Sequence, residues 1–103
     1  MNSNKWETQA AAATFQRLIH AQGNYAHVTV RPRAGHLYVE VEETDGTRSI
    51  VARATPIKRS EYGLSFRTHT GRWETMPVWG PLEDVVEGLV GFLDPYLQPL
   101  NSR

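Results

Sequence analysis

The sequence contains no cysteine, which excludes disulfide cross-links, thiol catalysis and thiolate metal sites. Net charge is missing as well, because eleven lysines and arginines balance eleven aspartates and glutamates. Strong nonspecific attraction to nucleic acid or anionic lipid, which depends on summed positive charge, is therefore not expected. No apolar run approaches the roughly 18 residues that cross a bilayer. The opening residues MNSNKWETQ lack the apolar core of a signal peptide. Nor does the chain contain a phosphate-cradling glycine loop, a nucleophile elbow, a paired-carboxylate signature or a zinc-ligand spacing. The resulting expectation is a soluble cytoplasmic protein without metal or cofactor and without membrane association.

What is present is strong patterning over 103 residues, a length that fits one domain, 1–103. Asn4 followed by Glu7 has the form of a capping box. The alanine-rich run after it favours helix, and Gly23-Asn24 supplies a stop. A first helix is predicted over about residues 5–22, with Ala11, Ala12, Phe15, Leu18 and Ile19 forming its apolar stripe. Trp6 lies on the opposite face, about 180° from Phe15, and so marks a contact outside the main core.

Three alternating segments follow, NYAHVTVR (24–31), HLYVEVEE (36–43) and TRSIVARA (47–54). Period two with one apolar side predicts half-buried antiparallel strands. Read as a four-residue loop, PRAG (32–35) pairs Val30 with Leu37 and Val28 with Val39. Read as a two-residue type I′ turn, Asp45-Gly46 sets Glu43 against Arg48, Val41 against Ile50 and Val39 against Ala52. TPIKRSE (55–61) reads as a loop or one helical turn. YGLSFRTH (62–69) and RWETM (72–76) make a further hairpin around Thr70-Gly71, with Trp73 on the inner side beside Leu64 and Phe66.

Pro77 cannot continue a central strand, and Trp79 is expected to plug the end of the core. Gly80 as N-cap and Pro81 as first helical residue open a second helix to Leu93, whose apolar face is Leu82, Val85, Val86, Leu89, Val90 and Leu93. Gly88 and Gly91 inside it each cost about 1 kcal/mol relative to alanine and suggest a close backbone neighbour. The fold class is α+β: an antiparallel five-stranded meander in the order α-β-β-β-β-β-α, with two helices packed on one face.

The other face is then uncovered, and function is sought there. It is expected to present Tyr25, His27, Thr29 and Arg31 from the first strand. His36, Tyr38, Glu40 and Glu42 follow from the second, with Ser49, Val51 and Arg53 from the third. Tyr25, Tyr38 and Arg53 there offer stacking and cation–π surfaces. The leading expectation is a small noncatalytic accessory domain that binds another protein, or a second copy of the chain as a homodimer. Its contact residues would be Tyr25, His27, Tyr38 and Arg53, with Trp6 as a separate contact.

Charge is also divided along the chain. Between 44 and 72 six bases meet two acids, whereas from 73 to 102 there are five acids and no base. Opposite patches suit docking to a charged partner. An alternative is a single-stranded nucleic-acid binder using Tyr25, Tyr38, Arg53, Lys58 and Arg59 for stacking and phosphate contact, although Glu40 and Glu42 oppose it. A third reading is a small enzyme in which Glu40 orients His27 as a general base. No nucleophile accompanies that pair, and His27 and His36 lack a third ligand for a metal.

Overall fold

The computed structural model describes residues 2–99, with side chains from residue 7 onward. Its elements are α1 (Asn2–His20), β1 (Val28–Arg33), β2 (His36–Glu42), β3 (Arg48–Lys58), β4 (Glu61–Arg67), β5 (Trp73–Gly80) and α2 (Leu82–Leu93). A 3-10 turn over Asp94–Leu97 follows. The five strands form one antiparallel meander in chain order, and both helices pack on the same face of it, as the alternation predicts. α1 lies against β1 and β2, α2 against β4 and β5, and the helices touch one another.

The core between the layers follows from the two periodicities. Ala12, Phe15 and Ile19 from α1 and Val85, Val86 and Leu89 from α2 are buried against Val28, Val39, Val41, Ala52 and Leu64 of the sheet. At Gly88 the helix approaches β5 so closely that an added Cβ would stand 2.5 Å from Val78 Cγ1. This glycine is therefore needed for packing. At the other edge, α1 side chains satisfy backbone groups of β1. The Gln16 amide oxygen accepts from Val30 N–H at 2.9 Å, and His20 Nε2 bonds to Val28 O at 2.7 Å. The β1 edge is thus partly covered, which limits its pairing with another chain.

Several local expectations are overturned, most of them through loop length. The first hairpin turns on two residues, Ala34-Gly35, both with positive φ (53° and 83°), as a type I′ turn requires. PRAG is not a four-residue loop, and the register moves by two: Val28 pairs with Val41 and Val30 with Val39. The next hairpin has a three-residue loop, Thr44-Asp45-Gly46, closed by Glu43 N–H to Thr47 O at 2.7 Å. Val41 therefore meets Ser49, Glu40 meets Ile50, and a bulge restores Val39 opposite Ala52. Ile50 consequently turns outward, and Val51 packs on the core side.

The β4–β5 loop repeats this geometry. His69-Thr70-Gly71 is closed by Thr68 N–H to Arg72 O at 2.8 Å, and Gly46 and Gly71 have nearly equal φ, 89° and 84°. Both match three-residue hairpins ending on a left-handed glycine. Arg67 then pairs with Trp73. Residues 55–58 are neither loop nor helix: β3 continues to Lys58 and turns on Arg59-Ser60, where Lys58 pairs with Glu61. Strand β5 runs through Pro77 because it is an edge strand and its outer side needs no donor. Helix α1 starts before Asn4, so that residue is not its cap, and the N-cap of α2 is Pro81 rather than Gly80.

Candidate binding face

The uncovered face is best read along Tyr38 and Arg53, which lie directly opposite one another on β2 and β3. Arg53 Nη1 donates to Tyr38 Oη at 3.4 Å. The register of β4 and β5 brings a third member, because Trp73 pairs with Arg67 on this outer side. The guanidinium carbon of Arg53 stands 4.3 Å from the Trp73 ring centroid, and that of Arg67 is 5.9 Å away. Tyr38 meets Trp73 edge-on with centroids 5.9 Å apart. His36 extends the cluster, 5.8 Å from Tyr38 and bonded through Nδ1 to Thr55 Oγ1 at 2.8 Å. Burial, followed by the nearby Arg53 charge, lowers the His36 pKa.

Around this centre the pairings put Arg31, Arg33, Arg48, Arg53 and Arg67 on the same face as Glu40 and Glu42. Glu40 is held by Arg31 at 2.9 Å and by Arg48 at 3.9 Å. Its charge is largely offset, so it opposes an anionic ligand much less than its sequence position implies. At the far end of the face, Trp79 lies opposite Gly63, and Ile57 folds over the same glycine. Both are exposed, at 65% and 59%.

Of the residues expected on this face, Tyr38 and Arg53 are there. Tyr25 is not. It precedes β1, is buried, and its hydroxyl bonds to Asp94 in the 3-10 turn. That bond, with burial and the Asp94 charge, raises its pKa to about 12. His27 also lies before β1, where its Nε2 bonds to Leu97 O at 2.5 Å. Thr29, not His27, faces Glu40, so the proposed His27–Glu40 base pair does not exist and the enzyme reading loses its residues.

Lys58 and Arg59 stand at the β3–β4 turn, beside Glu7, Thr8 and Ala10 of α1. Lys58 is five residues along β3 from Arg53, about 16 Å at strand rise, and so does not extend the Tyr38–Arg53 group. The side chain of Trp6 lies outside the described residues. Among the described residues no group of three or more His, Cys, Asp or Glu could hold a metal ion, and no helix is long and apolar enough to cross a membrane.

Trp73 and Trp79 were expected inside. They stand six residues apart and so share one side of a strand, and the three-residue loop turns both outward together. The signal for this is in the sequence, since TDG and HTG each place glycine third in a three-residue loop. No family model matches the chain, and comparison with curated proteins and with solved structures finds no match either.

Proposed function

We propose that this chain is a small noncatalytic accessory domain that binds another protein through its outer sheet face. The observation that carries this reading is the Tyr38–Arg53–Trp73 cluster on an uncovered sheet. Tyr, Trp and Arg dominate binding energy in protein interfaces because they bring large, rigid contact area together with polar anchoring. Trp79 and Ile57, exposed on the same side, continue the apolar contact, and the surrounding arginines supply a charged rim. A second copy of the chain is one such partner, giving a homodimer.

The test is capture of partners from the native host by the intact chain and by a Trp73→Ala, Arg53→Ala double variant, alongside light scattering over a concentration series. A specific partner or a dimer that the double variant loses supports the reading. A chain that stays monomeric and captures the same proteins in both forms overturns it.

The five arginines on this face outnumber its two acids, Glu40 being paired with Arg31 and Arg48, and this favours a second reading as a single-stranded nucleic-acid binder. Cations interleaved with aromatic rings suit alternating phosphates and bases. Titration of a labelled oligonucleotide at two salt concentrations separates the readings, because phosphate contacts weaken steeply with salt. No binding at low salt removes it.

A further inference from the structure

At the end of the sheet beside the β4–β5 loop, the helix layer does not fully cover the strands. Val51 and Phe66 belong to the core side, yet both are only half-buried. Facing them are Leu93, at the end of α2, and Tyr96, which is 56% exposed. These residues line a cleft of about 630 Å³ whose remaining wall is the hairpin loop together with Trp73 and Glu74 at the start of β5. That volume falls within the range that holds small organic molecules.

The loop is well fixed. Besides the Thr68–Arg72 closure, Gly71 N–H donates to Thr68 O at 2.9 Å and Arg72 N–H to Thr68 Oγ1 at 3.0 Å. Arg67 folds back over it, with Nη2 3.6 Å from where a Gly71 Cβ would stand. Arg72 follows directly, so two guanidinium-bearing residues flank the mouth, with Glu74 the acid among the described lining residues.

From this geometry we infer that the cleft binds a small amphipathic monocarboxylate. Its apolar body lies against Val51, Phe66 and Leu93, and Arg67 and Arg72 hold its carboxylate. Apolar walls alone would accept any hydrophobic molecule. Guanidinium forks match a carboxylate in shape and charge, and they select an acid. Glu74 opposes a second negative group, which argues for one carboxylate rather than two. The cleft adjoins the outer-face cluster, since Trp73 and Arg67 border both, but neither Tyr38 nor Arg53 lines it.

Decanoate and the uncharged decanol are the probes, titrated into the full chain at low salt and followed by amide and aromatic NMR shifts. Decanoate is expected to move the amides of Thr68, Gly71 and Arg72 and the rings of Phe66 and Tyr96 in a saturable way. Decanol should bind about tenfold more weakly, the loss associated with one charge-assisted hydrogen-bonding group. Arg72→Gln should weaken decanoate to a similar degree and leave decanol unchanged, and Glu74→Gln should tighten decanoate. Both sites are exposed, so neither change threatens folding. An Arg53→Ala variant should keep its decanoate affinity even where outer-face binding is lost. Equal binding of the acid and the alcohol, shifts confined to the outer face, or no saturable shift would each overturn the inference.

Discussion

The guanidinium of Arg53 lies over the indole of Trp73, 4.3 Å from its centroid, although β4 separates their strands. Ser65 on β4 pairs with Arg53 on one side and with Thr75 on the other. A small side chain there leaves room for the two larger groups to meet above it. The contact ties the third strand to the fifth on a face with no helix to stabilise it. Structure and proposed recognition thus use the same side chains.

This contact is measurable as stability. Trp73→Ala should cost about 2 kcal/mol in urea unfolding, roughly half the loss for a fully buried tryptophan. Arg53→Lys should also lower stability despite the conserved charge, because only the planar guanidinium stacks on the ring. If Arg53→Lys is neutral, stacking is not what holds the pair.

The two glycines of α2 should respond to alanine with opposite signs. Gly91 has open space where a Cβ would sit, so Gly91→Ala should stabilise by up to about 1 kcal/mol through helix propensity. At Gly88 the added carbon would lie 2.5 Å and 2.8 Å from the two Val78 methyls. The clash should outweigh the propensity gain and destabilise by about 1–3 kcal/mol, with Val78→Ala restoring part of the loss. Thermal unfolding of the three variants checks this.

Alkaline pH should loosen the attachment of the 3-10 turn. The hydrogen bond to Asp94, with burial, raises the Tyr25 pKa to about 12, above the ordinary value near 10 for tyrosine. A group whose pKa is raised on folding contributes stability that is complete below the unfolded value and is lost as pH rises towards the folded one. Unfolding free energy should therefore fall between about pH 10 and 12 on account of this residue. Tyr25→Phe should remove that part of the slope, at a cost of about 1 kcal/mol near neutrality. An unchanged slope in the variant would show that Tyr25 is not its source.

Ala34 holds φ at 53°, a left-handed conformation that costs residues with a Cβ roughly 1–2 kcal/mol. Asparagine tolerates that region better, and Asn-Gly is the preferred type I′ pair. Ala34→Asn should therefore stabilise the β1–β2 hairpin by up to about 1 kcal/mol. Ala34→Val should do the reverse. Equal melting temperatures for the two variants would contradict the turn assignment.

Period-two alternation in 28–30, 37–41 and 52–54, together with the one-sided stripes of Phe15–Ile19 and Val85–Leu93, determined the α+β meander and its core. Each of these signals is local, being carried by the spacing of neighbouring side chains along one element. Tyr38 and Arg53 were legible for that reason, since both fall on the polar side of strongly alternating strands. Only the tertiary structure decided register. Face assignment changes with every added loop residue, so Trp73, Trp79, Ile50 and Val51 all took the side opposite to the one expected. The fate of Tyr25 and His27 depended on contacts 69 and 70 residues away, with Asp94 and Leu97. No spacing within a strand can encode such contacts, because they form only when the chain end docks beside the start of the sheet.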